Sequence, residues 1–368
     1  MTQQPQINIV STCVQDTSEA VFFRLDDLPE AARVAGEARD RFLMHVVGNR
    51  TADVVIVARS ARPATDVEYL QGQVACDKEV IDWSGHGGNR SADVASFALR
   101  NGFVHKERIP RNAAAAVRIW QANIGKSIVA TMPRVGRRAQ DSGGAGVDFP
   151  ATGVRLEFID PTVQAGTGGS ALFPTGCLID ELEVPGVGRL KATLSNAGAP
   201  TMFIDAAAVG LAGTELLDAI DGNAEAFALL QRIRASGAER MGLIERAGDP
   251  AQFPHLPAIV LVAPPAGYLS PHGQGIAAAD VDLLVRPIAA GQPRQAMTET
   301  AVVATAAAAA IPGTLVSLVA GGRPHVTVRL GHTSGVVCAS ADARQIGGEW
   351  ILIKVVVDGR ARRMGTSS

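Results

Sequence analysis

Thr298-Glu299-Thr300-Ala301-Val302-Val303-Ala304-Thr305-Ala306-Ala307-Ala308-Ala309-Ala310, closed by Ile311-Pro312-Gly313, is the stretch that decides the fold. Thr298-Glu299-Thr300 opens a helix over Ala301 to Ala310, and Pro312-Gly313 ends it. A matching pattern lies far upstream, where the glycine-rich turn Asp82-Trp83-Ser84-Gly85-His86-Gly87-Gly88-Asn89 feeds a helix predicted over Arg90 to Asn101. Its apolar residues Ala92, Val94, Ala95, Phe97, Ala98 and Leu99 cover most of the circumference. A helix without a polar face is a buried one. Two such helices, in two halves of one chain, imply two cores.

The segments between them read as strands. Gln6 to Thr12, Ala20 to Arg24, Asp53 to Arg59, Val67 to Val74, Ala115 to Trp120 and Ser127 to Met132 precede a polar, glycine-rich loop over Arg137 to Gly146. The second half repeats the grammar. Strands are predicted at Gly188 to Leu194, Thr201 to Ile204, Ala258 to Ala263, Val326 to Leu330, Gly335 to Ala339 and Trp350 to Val357, with one or two helices over Gly213 to Ala235. No strict sequence repeat accompanies this duplication. The expected fold class is α+β: two similar domains, each a mostly antiparallel, barrel-like sheet around a central buried helix. The expected domains are residues 1–184 and 185–368, with the last strands able to cross back to the first.

Composition narrows the function. The chain has 368 residues, 47% of them hydrophobic, enough for two cores. A net charge of -2 and the lack of a basic block argue against nucleic acid as a partner. The polar start, Met1 to Asn8, and the Pro-Gly break in the Ala-rich stretch argue against a leader and a membrane span, so a cytoplasmic protein is expected. Cys13, Cys76, Cys177 and Cys338 are too widely spaced for a zinc site and read as small buried fillers. There is no GxGxxG unit of dinucleotide spacing, no P-loop and no GxSxG elbow. The expected partner is a small-molecule substrate, with no cofactor and no metal, in a monomer or homodimer.

Several segments, in order and over nearly the whole chain, resemble the 2-methylaconitate isomerase (PrpF) family. They include Val21-Phe22-Phe23-Arg24-Leu25-Asp26-Asp27-Leu28-Pro29, Arg118-Ile119-Trp120-Gln121-Ala122-Asn123-Ile124-Gly125-Lys126 and Leu182-Glu183-Val184-Pro185-Gly186-Val187-Gly188. Asn196-Ala197-Gly198, Asp282-Leu283-Leu284-Val285-Arg286, Ile311-Pro312-Gly313-Thr314 and Gly331-His332 with Ser334-Gly335 continue it. The resemblance implies a diaminopimelate-epimerase-like fold and cofactor-free isomerisation of unsaturated tricarboxylates such as 2-methylaconitate or 4-oxalomesaconate. Buried helix N-termini would hold the carboxylates, and an acid and a base would move a carbon-bound proton.

Departures from the family motifs cluster where that chemistry would lie. The family's opening Met-Arg-Gly-Gly-Thr-Ser-Lys-Gly is here Cys13-Val14-Gln15-Asp16-Thr17-Ser18-Glu19-Ala20. Its loop ending in Thr-Ser-Lys, whose lysine is the usual base, is shortened to Asn49-Arg50-Thr51-Ala52-Asp53, with Asp53 at the lysine position. Its Asn-Cys-Gly-Asn turn is His86-Gly87-Gly88-Asn89, so the reactive cysteine is Gly87. Its Met-Met-Gly-Thr is Met297-Thr298-Glu299-Thr300.

Asp53 and His86 are therefore the candidate catalytic residues. Asp16, Thr17, Ser18, Gly87, Gly88, Asn89, Asn196, Thr298, Glu299, Thr300, His332 and Ser334 are the candidate substrate-binding residues, with Asn89 also suited to capping the helix. A site carrying Asp16, Glu19, Asp53 and Glu299 would repel a tricarboxylate. The expectation that follows is an isomerase or cyclase repurposed for a small biosynthetic metabolite other than a tricarboxylate. An orthodox isomerase of unsaturated di- or tricarboxylates and a non-catalytic binding protein are the alternatives. A metal site built from His86 and the new acids is a weaker one.

Overall fold

Val21-Phe22-Phe23 is apolar without alternation, because the strand that carries it is covered on both faces. Phe22 stacks on Phe97 of the helix Ser91–Arg100, ring centroids 5.4 Å apart. Val21 and Phe23 face the other way, into a cluster with Leu43, Val47, Val54 and Ile56. Leu43 and Val47 belong to the amphipathic helix Glu37–Val47. A sheet between one fully buried helix and one surface helix is the plan of this part of the chain.

The computed structural model describes residues 12–15, 18–48, 52–75, 80–83, 90–110, 113–133, 153–164, 171–216, 224–244, 257–271, 273–289, 292–293 and 297–358. The chain divides into two compact units, Met1–Val154 and Arg155–Ser368. In the first, strands β1 (Thr12–Gln15), β2 (Ser18–Arg24), β3 (Ala52–Arg59), β4 (Val67–Ala75), β5 (Val80–Asp82), β6 (Ala115–Gln121) and β7 (Lys126–Met132) form one mixed sheet. β2 runs parallel to β3, and β4 parallel to β6; the other pairs are antiparallel. The helix Ser91–Arg100 lies against β6 and β7.

The second unit holds β8 (Arg155–Ile159), β9 (Asp180–Val184), β10 (Gly188–Ser195), β11 (Thr201–Asp205), β12 (Ala258–Ala263), the short β13 (Tyr268–Leu269) and β14 (Gly275–Ile276), β15 (Leu283–Ala289), β16 (Gln292–Pro293), β17 (Thr327–His332), β18 (Gly335–Ile346) and β19 (Glu349–Val357). Its pairing runs β8-β19-β18-β17-β15-β12-β11-β10-β9. β8 pairs with the last strand, β19, and β9 with β10. Both therefore stand in the second unit, although the sequence reading assigns residues up to 184 to the first half. The sequence shows no break near 154 because the pairing partners of β8 and β9, β19 and β10, lie on the far side of the expected boundary.

The Ala-rich helix is observed at Glu299–Ala310, with residues 299 to 309 all buried, against β17, β18, β19 and the short helix Leu315–Val319. Alanine costs no side-chain entropy in a helix and lets strands approach from every side. Burial forces its polar groups to be satisfied internally. Thr305 Oγ1 donates to Ala301 O at 2.7 Å, and Thr314 Oγ1 to Ala308 O at 2.6 Å, while the His325 N–H caps Ala309 O at 2.9 Å. On the opposite face of the sheet, Leu230 and Ile233 of the helix Ala224–Arg240 pack with Leu182, Leu194, Met202 and Ile204. Of the stretch predicted as helical, residues 213–216 are not helical and residues 217–223 lie outside the described residues; Gly213 has φ +78°, with Ala263 Cβ 2.4 Å from where its own Cβ would stand. The cysteines described are also not both buried, since Cys177 is exposed and Cys338 half-buried.

Asp282 staples β15 to β17. It accepts the Arg329 backbone N–H at 2.8 Å and the Arg329 guanidinium at 2.7 Å. Hydrogen bonds from the Arg329 side chain hold the Asp282 carboxyl below the ordinary carboxylate value of 3.8, against a smaller effect of burial. A depressed folded value means the stabilisation is present above the unfolded value and is lost as pH falls through the folded one. Asp282→Asn is expected to lower stability at neutral pH by about 1 kcal/mol, a figure discounted for the exposed guanidinium. The difference from wild type should vanish in acid, below the ordinary carboxylate range. Urea unfolding at pH 7 and pH 3 checks both statements, and an equal loss at the two pH values contradicts them.

Candidate active site

The N-terminal end of each buried helix carries a cluster of polar groups. At the first, Arg90 precedes Ser91 and occupies the N-cap position without a side-chain cap. Its guanidinium turns instead to β3: Nη2 donates to Asp53 Oδ2 at 2.7 Å and Nε to the same oxygen at 3.0 Å. Asp93, one turn into the helix, is 3.6 Å away. The Arg90 side chain is only 3% exposed and that of Asp53 15%. A charge so buried must be paired, and here one guanidinium stands between two carboxylates. The Tyr69 hydroxyl meets Ser91 Oγ at 3.2 Å, tying β4 to the same helix end.

Asp53, the expected base, is thus one half of a buried ion pair, and its partner Arg90 is a residue that the sequence reading passed over. The signal was there, in an arginine directly before a helix with no polar face. Arg90 is a cation that the expected charge balance did not count, and it is shared between Asp53 and Asp93. His86, Gly87, Gly88 and Asn89 lie outside the described residues, as do Asp16 and Thr17. Ser18 closes the β1–β2 hairpin opposite Gln15. The N-cap position expected for Asn89 is held by Arg90.

At the second helix, Thr298 is the N-cap and its hydroxyl accepts the Ala301 N–H at 3.1 Å. The Thr298 and Thr300 hydroxyls are 3.1 Å apart, and Glu299 is buried between them in sequence. The Asn196-Ala197-Gly198 loop packs on this turn. Gly198 has φ +69°, and a Cβ there would stand 3.1 Å from Thr300 O. Asn196 is fully buried; its Nδ2 donates to Ala171 O at 3.1 Å and its N–H to Leu172 O at 2.9 Å. Its Oδ1 is buried and accepts no hydrogen bond from the described residues. Asn196, Thr298, Glu299 and Thr300 are therefore assembled around one helix end. His332 and Ser334 sit together in the β17–β18 turn, where the Ser334 N–H donates to His332 Nδ1 at 3.3 Å.

Among the described residues, no group of three or more His, Cys, Asp or Glu side chains could hold a metal ion. No described helix is long and apolar enough to cross a membrane.

The fold as a whole is found again in solved structures. A methylitaconate-delta-isomerase matches with a TM-score of 0.70 and 27% identity, over 94% of this chain and 90% of its own. A hydroxyproline epimerase from Agrobacterium vitis shares the fold at 10% identity, with a TM-score of 0.52 over 93% of this chain and 86% of its own. The 2-methyl-aconitate isomerase of Cupriavidus necator is 46% identical over 382 residues, covering 98% of this chain and 96% of that protein. Fold and relatives define the class, an isomerase on an epimerase-like fold. Within that class the chain belongs to the PrpF protein family, whose pattern matches residues 6–366.

The ion pair makes a prediction. Removing one partner of a buried pair leaves the other charge uncompensated, at a cost of about 3 kcal/mol. Arg90→Gln, which removes the cation from both Asp53 and Asp93, is expected to destabilise more than Asp53→Asn. The double variant should recover part of the loss. Urea midpoints of the four proteins measure the coupling, and strictly additive changes would show that the pair contributes nothing.

Proposed function

We propose that the protein is a PrpF-type isomerase that relocates a proton, and with it a double bond, in an unsaturated di- or tricarboxylate of the 2-methylaconitate kind. The observation that carries this is the 46% identity to a 2-methyl-aconitate isomerase over nearly the full length of both chains. The expectation of a site too acidic for such a substrate did not count Arg90, a cation beside Asp53 that is shared with Asp93. Isomerisation needs a base to take a proton from carbon and an acid to return one to another carbon, so the net composition is unchanged. Asp53 and His86 are the proposed pair. Arg90 holds Asp53 through Oδ2, so transfer at Asp53 would run through Oδ1. The proposed carboxylate sites are the helix end around Thr298 and Thr300, with Asn196, and the His332–Ser334 turn.

A second reading, in which the chemistry has been altered, is favoured by one feature. The positions of the family's lysine and cysteine hold Asp53 and Gly87. Under that reading the fold is kept and a different small metabolite is isomerised or closed into a ring.

Incubation with 2-methylaconitate in D2O, followed by proton NMR, separates the two. The first reading predicts isomerisation with deuterium entering the carbon that is reprotonated. Absence of both with 2-methylaconitate and with 4-oxalomesaconate would favour the second. Asp53→Asn and His86→Ala are each expected to slow exchange by about 10²-fold or more. Unchanged exchange in both variants would remove these two residues from the proton path and leave the isomerase reading in place.

A further inference from the structure

The β17–β18 turn is supported from outside itself. His332 and Gly335 form its last strand pair, so Thr333 and Ser334 make a two-residue loop. Such loops favour left-handed backbone at their central residues, since this matches the twist of the strands. The non-glycine residues with positive φ among the described residues are Ala64 and Asp160, so Thr333 and Ser334 do not take that conformation. Something else must fix the turn. The Tyr268 hydroxyl lies 2.7 Å from His332 O and 2.9 Å from Gly335 O, sharing its single proton between the two carbonyls at the base of the loop.

Tyr268 is itself immobilised. It is 7% exposed, and the Arg286 guanidinium carbon sits 5.1 Å from its ring centroid. Arg286 is fully buried and donates to Gly331 O at 3.2 Å, to Val285 O at 2.8 Å and to Glu215 O at 2.9 Å. Gly331 has no room for a side chain: a Cβ would come within 2.8 Å of Val281 and 3.2 Å of the Tyr268 ring. Burial pushes the Tyr268 phenol up to about 12, against a smaller effect of Arg286, so it remains an O–H donor at neutral pH. Within the turn, the Ser334 N–H donates to His332 Nδ1, which must then act as acceptor. A neutral imidazole has one donor and one acceptor nitrogen, so its proton is placed on Nε2.

We propose that Tyr268 is a positioning residue of the substrate-binding turn: by spanning the carbonyls of His332 and Gly335 it keeps the Ser334 N–H on His332 Nδ1 and holds the imidazole as the Nε2–H tautomer, a neutral donor suited to a substrate carboxylate oxygen. The part concerning substrate rests on the isomerase reading above. The part concerning the tautomer does not. Arg286 and Gly331 act behind Tyr268, as the support of the ring.

Ring nitrogen-15 NMR of the full chain, with His332 assigned through His332→Gln and recorded where the ring is neutral, reads the tautomer directly. Wild type is expected to show a protonated Nε2 and an unprotonated Nδ1. A protonated Nδ1 would overturn the proposal without any variant. Tyr268→Phe keeps the ring and removes the clamp, and should give mixed tautomers. In the exchange assay with 2-methylaconitate, loss of one hydrogen bond should raise KM about tenfold with kcat nearly unchanged. His332→Gln, whose amide reaches the Nε2 position, should bind better than His332→Asn. A Tyr268→Phe protein with an unmixed tautomer and wild-type KM would refute the positioning role. Should wild type leave 2-methylaconitate untouched, the isomerase reading falls, and the NMR result still decides the role of Tyr268.

Discussion

A helix with no polar face must be enclosed, and enclosure leaves every one of its backbone and hydroxyl groups dependent on partners from its own surroundings. That constraint organises each unit of this protein. Around Glu299–Ala310, Thr305 bonds back to the preceding turn, Thr314 reaches Ala308 O and the His325 N–H reaches Ala309 O. The same Thr314 hydroxyl then caps the short helix that follows, accepting the Ser317 N–H at 3.1 Å. Around Ser91–Arg100, the buried end is closed by ionic groups instead, with Arg90 between Asp53 and Asp93. The two solutions differ chemically, yet each places polar side chains where the helix N–H groups point outward.

The consequence for function is that structural and chemical demands fall on the same residues. Thr298 satisfies the Ala301 N–H and is also a proposed substrate contact. Asn196 anchors residues 171 and 172 through its backbone and amide, and still keeps a buried acceptor, Oδ1, to spare. Gly198 is required for its left-handed backbone and for the close approach of Thr300. Family resemblance is strong at such positions for reasons that begin with packing, so a retained motif is not by itself a retained reaction. The relatives, rather than the motifs alone, carry the isomerase class.

Much of the fold was legible because its signals are local. The helices predicted at Arg90 to Asn101 and Ala301 to Ala310 appear at Ser91–Arg100 and Glu299–Ala310. Strands such as Val67–Ala75 and Ala258–Ala263 stand where their β-branched runs placed them. What the sequence concealed depends on distant partners. β15 contains Pro287, which argues against a strand, but its pairing with β17 is confined to Leu283 and Leu284, so the missing N–H interrupts nothing there. β9 carries Asp180 on its buried side, a pattern that looks wrong for a strand until Arg240 and Thr175 are seen to bind that carboxylate. The helix Glu37–Val47 is rich in charge, and Arg39 is buried only because it stacks over Trp83, 4.3 Å from the ring centroid. At the candidate site, Asp53 stood out in the sequence, and its ion pair with Arg90, 37 residues away, did not.

That ion pair also bears on how this chain could have diverged from its relatives. The family resemblance implies a lysine at position 53, where Arg90 now approaches to 2.7 Å. Returning lysine alone would set two cations against each other at the end of a buried helix, and removing Arg90 alone would leave Asp53 and Asp93 facing each other. Each single step between the two arrangements passes through a like-charge contact in a place with little water to screen it. Positions 53, 90 and 93 are therefore coupled through one guanidinium, and a change of charge at any of them acts on the other two.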